Sequence, residues 1–176
     1  YDIGGNAVEE ILLPGGSGIG GINTFARDND GELYVVTGSE IYKIVDSPGE
    51  VIPQGGWSLR YVDIEEGSEQ DGAAENAFEG DPQTMWHTEW SSSVPGHPHE
   101  IQIDLGAEYN VDGFRHLPRQ DGSSNGRIAS YQFYVSLDGV NWGDAVDSGV
   151  LANVSTEQGR TFTAKTGRYV RLVALS

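Results

Sequence analysis

Every second residue is apolar in two stretches of the chain, Tyr131–Leu137 and Ile101–Leu105. This two-residue period is typical of half-buried β-strands, because successive side chains of a strand point to opposite faces of the sheet. A turn at Asp138-Gly139 follows the first stretch, and we expect Gly106 to end the second. The pattern therefore predicts two amphipathic strands in the second half of the chain.

Further strands are predicted near the C-terminus. Tyr169–Leu175 is apolar on both faces apart from Arg171, which favours a central position in a sheet. Thr161–Ala164 is a short strand-like run, and Ala73–Phe78 suits a single helical turn. No apolar period of 3.6 residues is sustained over more than about three turns. Together with the 25 glycines, this pattern predicts an all-β fold, a sandwich or jelly roll.

The first fifty residues have a different character. Leu33–Thr37 and Ile41–Val45 are strand-like, and Gly38-Ser39 between them suits a two-residue hairpin loop. One hairpin alone cannot bury a stable core. Ser47–Gly56 contains two prolines and three glycines, a composition typical of a linker. The predicted organisation is an N-terminal β segment, a linker and a β domain, over residues 1–46, 47–56 and 57–176.

The chain is strongly acidic. Its 176 residues include 10 lysines and arginines and 27 aspartates and glutamates, for a net charge of −17 at pH 7. Such a protein repels phosphate backbones and anionic membranes, so neither nucleic acid nor a membrane is expected as a partner. Cysteine is absent, which excludes disulfides and thiol chemistry. We expect a secreted or extracellular monomer, and we interpret the start at Tyr1 rather than Met as that of a processed product or fragment.

The segment Trp86–Trp90, with the sequence Trp-His-Thr-Glu-Trp, places two indoles, an imidazole and a carboxylate within five residues. An indole offers a flat apolar face to the C–H groups of a sugar ring, and His and Glu side chains hydrogen-bond to hydroxyls. The alternative is that both tryptophans are ordinary core aromatics and that His87 is a surface residue. The segment by itself leaves both interpretations open.

Several motifs follow one another in a fixed order between Trp57 and Ser176. They are Ala74–Asp81 (AENAFEGD), Thr84–Trp90 (TMWHTEW), Pro98–Gly106 (PHEIQIDLG), Leu117–Gln120 (LPRQ), Gly126–Ile128 (GRI), Tyr131–Trp142 and Gly167–Leu172 (GRYVRL). In this order they resemble the discoidin-like, coagulation-factor type C fold, and specifically carbohydrate-binding module family 32. The resemblance implies a discoidin-like β-sandwich jelly roll with its ligand site in loops at one end, preceded here by a short N-terminal β-hairpin extension.

The resemblance also implies a set of sugar-binding residues. In members that bind galactose-type sugars, a histidine of the W-H-T turn contacts an axial hydroxyl, an aromatic three residues later stacks on the sugar, and an arginine of the L-P-R segment contacts ring hydroxyls. An acidic residue in the loop before the A-x-N-A stretch and the asparagine of the N-G-R segment complete the site. The positions that match are His87, Trp90, Arg119, Glu69 (with Gln70 as the alternative) and Asn125.

A structural Ca²⁺ is a further implication of the resemblance. The ligands expected from the family pattern are the Ala77 carbonyl, the Asp81 carboxylate and the Thr84 hydroxyl, an oxygen-only set that suits calcium. The alternative is that Asp81 only caps the Gly80–Pro82 turn. Family members continue past the last strand to a glutamate that closes the calcium shell, and this sequence stops at Ser176 before that position.

The function implied by the resemblance is that of a non-catalytic module that binds galactose-type sugars and targets a larger secreted enzyme to glycans. Alternatives are a discoidin-like protein- or phospholipid-binding module, or a binder of another glycan such as an N-acetylhexosamine, a uronate or chitosan. No two carboxylates stand out as a facing glycosidase pair, so we expect no catalysis by this chain. Residues 22–46 faintly resemble the last blade of quinoprotein sugar dehydrogenase propellers, with a generic β-hairpin as the alternative.

Overall fold

The computed structural model describes residues 51–176 continuously and, before them, three strands. These strands are β1 (Ile22–Arg27), β2 (Leu33–Thr37) and β3 (Ile41–Lys43), and they form an antiparallel sheet in the order β1-β2-β3. The predicted pairing of the second and third strands is confirmed, while β1 adds a strand that the hairpin prediction did not contain. The predicted Gly38-Ser39 loop lies outside the described residues.

The chain divides into two compact units, Tyr1–Pro48 and Gly49–Ser176. The second unit contains one five-stranded antiparallel sheet in the order β4-β5-β8-β6-β7. Its strands are β4 (Ser58–Val62), β5 (His99–His116), β6 (Ser130–Ser136), β7 (Asp147–Val150) and β8 (Gln158–Ala174). Two single 3₁₀ turns, at Gln54–Gly56 and at Ala74–Ala77, complete the unit, and the second confirms the predicted helical turn.

Strand β5 does not end at Gly106, so that expectation was wrong. Gly106 has φ +84°, a left-handed conformation that favours glycine, and the pairing of β5 with β8 is interrupted between Asp104 and Tyr109 and then resumes. The glycine therefore bends the strand instead of terminating it. A Cβ at this position would lie 2.6 Å from the carbonyl oxygen of Gly56, which also explains why no larger side chain is present.

Strand β8 lies at the centre of the sheet, as its apolar faces predicted. Its C-terminal half pairs with β5 on one side and with β6 on the other. The two strands that were expected at Thr161–Ala164 and Tyr169–Leu175 are parts of this single long strand. Arg171 on the outer face stacks on the rings of Tyr134 and Trp142, at 4.1 Å and 4.9 Å from their centroids. These cation–π contacts explain how an arginine is accommodated there.

The paired strands β5 and β8 bend together, and the hydrophobic core lies between the two halves of this bent pair. Strand β6 also contributes side chains to the core. The predicted alternation is confirmed as far as Val135, because Tyr131, Phe133 and Val135 are buried; it was wrong for Leu137, which follows the end of β6 and is exposed, while Ser136 is buried. Phe114 from the far half of β5 stacks on Phe133 with ring centroids 4.5 Å apart, and Phe162 of β8 contacts the same ring at 5.8 Å. Sheet surfaces facing each other across aromatic contacts make the all-β sandwich that the sequence predicted.

The loops that contain the predicted sugar-binding residues connect the strands of this sandwich. Residues 63–98 join β4 to β5, and residues 117–129 join β5 to β6. Within the described part of the chain, no helix is both long enough and apolar enough to cross a membrane.

Candidate functional site

His87 lies in a loop that is held by main-chain hydrogen bonds. Its N–H donates to the carbonyl of Gly72 (3.1 Å), and its carbonyl accepts from the N–H of Glu66 (2.8 Å). In the side chain, Nδ1 lies 2.6 Å from the carbonyl oxygen of Thr88. Because a carbonyl can only accept, Nδ1 carries the hydrogen of the neutral imidazole, which leaves Nε2 as a hydrogen-bond acceptor.

Arg119 approaches this acceptor from the loop after β5. Its Nη1 lies 3.4 Å from Nε2 of His87 and donates to the main-chain carbonyl of Asn125 at 2.8 Å. The structure therefore brings together three of the predicted sugar-binding residues, two of them through side chains. Asn125 takes part through its carbonyl, and its own side chain is exposed.

Asp121 fixes the orientation of the Arg119 guanidinium. Nε of Arg119 donates to Oδ1 of Asp121 at 2.8 Å, and Nη2 donates to Oδ2, so the contact is the bidentate fork typical of arginine and carboxylate. The Arg119 side chain is 13% exposed and that of Asp121 is 42% exposed. The fork holds the pKa of Asp121 well below its usual range and raises the pKa of Arg119.

The free hydrogen-bonding capacity of Arg119 follows from these contacts. A guanidinium has five N–H groups, and Asp121, Asn125 and His87 accept from four of them. One N–H on Nη2 is left for a ligand. A ligand hydroxyl could also replace the long contact between Nη1 and the imidazole, since 3.4 Å is at the weak end of the hydrogen-bond range.

The two tryptophans of the segment have different environments. Trp86 packs against the core residues Ala74, Phe78 and Ile101, and its indole N–H donates to the carbonyl of Ile64 at 3.0 Å. Trp90 is 47% exposed. Of the two interpretations of the segment, the core role therefore applies to Trp86, and Trp90 has apolar surface available for a ligand.

Glu69 lies in an open concavity of about 400 Å³ formed by its own loop between Glu65 and Ala73. Its side chain is exposed, whereas Gln70, the alternative at this position, is half-buried. Its main-chain N–H donates to the carboxylate of Glu66 at 3.1 Å. Within residues 51–176, this main-chain contact joins Glu69 to the site, and its carboxylate makes no hydrogen bond to His87 or Arg119.

Two residues next to the site were not anticipated from the sequence. Glu66 is fully buried, and hydrogen bonds to its carboxylate, first of all from the N–H of Trp90, lower its pKa to about 2 against the pull of burial. The other is Asp121, described above. The sequence does contain a signal for Asp121, because an Asp-Gly turn directly after the L-P-R-Q segment brings a carboxylate back towards the arginine. Charged residues in a polar loop give no comparable signal for Glu66.

Of the residues expected to bind calcium, Ala77 ends the second 3₁₀ turn, and Asp81 and Thr84 lie in the loop after it. The Thr84 hydroxyl contacts the carbonyl of Asp81 (3.0 Å) and the carboxylate of Glu79, and Oδ1 of Asp81 accepts from the N–H of Gln83 (2.8 Å). The Asp81 contact is the turn cap considered as the alternative, and it leaves Oδ2 available. Within the described residues, no group of three or more His, Asp and Glu side chains converges as a metal site. A cation here would be bound by fewer than three carboxylates together with carbonyl and hydroxyl oxygens, a set that suits calcium.

Comparison with known protein families gives a match to the F5/8 type C domain over residues 63–176. The chain is 42% identical over 127 residues to a sialidase from Micromonospora viridifaciens, which covers 72% of the chain and 20% of the relative. It is 37% identical over 129 residues to a galactose oxidase from Gibberella zeae, covering 73% of the chain and 18% of the relative. The chain thus spans about a fifth of the length of these relatives.

Solved structures give a concordant result. CpGH89CBM32-5 from Clostridium perfringens, in complex with GalNAc-β-1,3-galactose, is similar with a TM-score of 0.66 and 31% identity over 71% of this chain and 88% of that chain. The family 32 module of C. perfringens NanJ in complex with galactose has a TM-score of 0.63 and 27% identity over 71% and 86%.

The family match includes the His87, Trp90, Arg119 and Asn125 positions and most of the sandwich that supports them. The similarity in fold to these solved structures agrees with the resemblance found in the motifs. The chain belongs to the F5/8 type C domain family and has the discoidin-like fold of family 32 carbohydrate-binding modules.

Proposed function

We propose that the domain of residues 57–176 is a non-catalytic carbohydrate-binding module for galactose-type sugars. The observation that carries the proposal is the 3.4 Å approach of Arg119 to Nε2 of His87, in loops that also expose Trp90. A sugar with one polar edge and one apolar face requires a hydrogen-bond acceptor, a hydrogen-bond donor and an aromatic ring. Here these are Nε2 of His87, the guanidinium of Arg119 and the indole of Trp90.

The preference for galactose follows from the chemistry of an axial hydroxyl. An axial 4-hydroxyl rises out of the mean plane of the ring, so the opposite face retains a continuous patch of C–H groups. Nε2 of His87 can accept from that hydroxyl while the remaining N–H of Arg119 donates to its oxygen. Trp90 would then cover the C–H patch, and an equatorial hydroxyl, as in glucose, would miss the pair.

The comparisons support this direction. Two of the similar structures contain ligands with galactose or N-acetylgalactosamine, both of which have an axial 4-hydroxyl. The sialidase and the galactose oxidase that share sequence with this chain also act on glycans or sugars by their names. We infer that the chain is one module of a longer secreted enzyme, in which it raises the local concentration of the enzyme on a glycan.

Structural calcium is part of the proposal. Asp81 offers Oδ2, Thr84 a hydroxyl and Ala77 a carbonyl, and Glu79 can add a second carboxylate in this loop. Bound calcium would hold the loop that leads into Trp86 and His87, and would thereby act on the sugar site indirectly. At a hundredfold excess over its dissociation constant, the ion would stabilise the fold by about 2.7 kcal/mol.

The sugar proposal is tested by titrating galactose, and glucose in parallel, into the calcium-loaded protein by calorimetry. A shallow site with few polar contacts suits a dissociation constant of roughly 1 mM, which corresponds to about 4 kcal/mol. We expect saturable heat with galactose, little with glucose, and loss of the galactose signal in His87→Ala. His97→Ala removes an exposed histidine ten residues further along the same β4–β5 connection and serves as the matched control.

Equal binding of galactose and glucose would contradict the role assigned to the axial hydroxyl. No heat with either sugar would refute the galactose proposal, and N-acetylhexosamines, uronates and chitosan oligomers would then be titrated. For calcium, the melting temperature is compared in calcium and in chelator for the wild type and for Asp81→Asn. An equal calcium response of Asp81→Asn and the exposed control Asp144→Asn would refute the proposed ligand set.

A further inference from the structure

Beneath the exposed residues of the site lies one fully buried carboxylate, that of Glu66. We propose that Glu66 is the positioning residue of the sugar site, because it fixes the loop of Glu69 and the loop of Trp90 relative to each other. The inference rests on the proposed function and deepens it. It assigns a role to a residue that is fully buried and therefore does not contact the ligand.

The carboxylate binds both loops at once. Oε1 accepts from the N–H groups of Ser68 (2.8 Å) and Glu69 (3.1 Å), and Oε2 accepts from the N–H groups of Trp90 (3.1 Å) and Ser91 (3.0 Å). The Ser91 hydroxyl adds a fifth hydrogen bond, to Oε1 at 3.0 Å. Charge-assisted hydrogen bonds of this kind are stronger than neutral ones, and here they replace the solvent of a buried charge.

The main chain of Glu66 extends the same arrangement to His87. Its N–H donates to the carbonyl of His87 at 2.8 Å, and its carbonyl accepts from the N–H of Gly72 at 2.9 Å. Gly72 in turn accepts from the N–H of His87. Three predicted sugar-binding residues, Glu69, His87 and Trp90, are therefore each hydrogen-bonded directly to this one residue.

Arg119 depends on a different carboxylate, that of Asp121. The two halves of the site are thus held separately and meet at the contact between His87 and Arg119. A change at Glu66 should consequently act on the half of the site that contains Glu69, His87 and Trp90, and leave the arginine fork as it is. This separation distinguishes a positioning role from a general loss of stability.

Replacing Glu66 by glutamine tests the role with little change in volume. A glutamine amide has one accepting oxygen and one NH₂ group, so it cannot serve both pairs of main-chain donors. The glutamine oxygen will take the place of Oε1, which accepts three hydrogen bonds, because this orientation loses the fewest of them. The NH₂ group will then take the place of Oε2 and face the N–H groups of Trp90 and Ser91. We therefore expect Glu66→Gln to release the Trp90 loop and to retain the Glu69 loop.

The matched control is Asp138→Asn. Asp138 is an exposed carboxylate in the turn after β6 that, like Glu66, accepts from main-chain N–H groups, here those of Val140 and Asn141, both at 2.8 Å. This turn and the site loops lie at opposite ends of β6, about 20 Å apart for a strand of this length. Both variants remove one negative charge and disturb a hydrogen-bonded loop, but only Glu66→Gln should affect the sugar.

The experiment follows amide proton–nitrogen spectra and galactose affinity in the calcium-loaded protein. In Glu66→Gln we expect large shifts for the amides of Trp90 and Ser91, small shifts for Ser68 and Glu69, and affinity reduced about tenfold, equal to roughly 1.4 kcal/mol. Asp138→Asn should lower the melting temperature and leave the affinity within about twofold of the wild type. Wild-type affinity in Glu66→Gln, or an equal loss in Asp138→Asn, would overturn the proposal.

A milder variant covers the case in which Glu66→Gln does not fold. Ser91→Ala removes only the hydroxyl bond to Oε1, and Ser93→Ala, which loses an exposed hydroxyl bonded to Glu89, is its control. We expect weaker galactose binding in Ser91→Ala alone, and unchanged binding in both would count against the role of Glu66. If the wild type binds no sugar, the proposed function fails. The amide shifts alone then decide whether Glu66 holds the two loops together.

Discussion

Gly72 allows the closest main-chain approach in the site, and this makes the effect of a single methyl group predictable. A Cβ built at Gly72 would lie 2.9 Å from the carbonyl oxygen of Glu66 and 3.0 Å from Cβ of His87. Carbon atoms in favourable contact are about 3.5–4.0 Å apart, so these neighbours would have to move by roughly 0.5–1 Å. Neither neighbour is the flexible end of a long side chain, and the strain cannot be relieved by a change of rotamer.

Gly72→Ala should therefore destabilise the domain and weaken sugar binding together. Overpacking of this kind costs about 1–3 kcal/mol. For a domain of this size, that corresponds to roughly 3–12 °C in melting temperature. The displaced atoms include Cβ of His87 and the main-chain pairing around it, so we also expect galactose affinity to fall about threefold to tenfold.

Urea unfolding and galactose titration measure the two effects, and Gly67→Ala provides the control. Gly67 belongs to the same loop, but a Cβ there would meet nothing within 4 Å. We expect the control to match the wild type in both measurements. A Gly72→Ala protein with wild-type stability would show that the loop can open at little cost, and the close-packing argument would be wrong. Reduced stability with unchanged affinity would instead disprove the link between Gly72 and the His87 position.

Three further predictions concern the charged and buried groups. Asp121→Asn should leave the fold intact and weaken galactose binding about twofold to tenfold, because Arg119 must then be immobilised by the sugar itself; titration of the variant measures this. Tyr131→Phe removes the hydrogen bond to Asp147 (2.6 Å) and should lower the free energy of unfolding by about 1–2 kcal/mol in urea, with galactose affinity unchanged. Because the pKa of Glu66 is lowered from 4.5 to about 2, its contribution to stability is present above pH 4.5 and is lost as the pH falls towards 2; the stability difference between wild type and Glu66→Gln should shrink over this range.

The parts of the fold that were predictable from sequence are those in which one residue pattern has one structural meaning. The alternation of Tyr131–Leu137 and the apolar character of Tyr169–Leu175 both identified real strands, one half-buried and one central. Gly106 was misjudged because glycine both ends strands and bends them, and the choice depends on a partner strand distant in sequence. Here β8 continues alongside β5 and restores the pairing after the bend.

The site was predictable to a different extent. The motifs place His87 and Arg119 in a common site by resemblance, and the structure finds their nitrogen atoms 3.4 Å apart. The segment by itself did not distinguish Trp86 from Trp90, because their burial depends on which loop face meets the core, and only the family resemblance selected Trp90. Glu66 could not be found at all, since the sequence gives no indication that a glutamate in an acidic loop is enclosed by main-chain N–H groups.

The carboxylates of Glu66 and Asp121 explain how a domain without cysteine keeps long loops in a defined arrangement. Regular structure contributes little near the site, where residues 63–98 contain only one 3₁₀ turn and an isolated bridge. A carboxylate accepts several hydrogen bonds at once and can thus connect segments that no ladder of strands joins. Glu66 does so beneath the site, where burial excludes competing water. Asp121, at the exposed rim, instead orients Arg119 within its own loop and leaves one N–H of the guanidinium free. The acidic composition, which in the sequence indicated only that anionic partners are not expected, therefore also includes the residues that hold the proposed site.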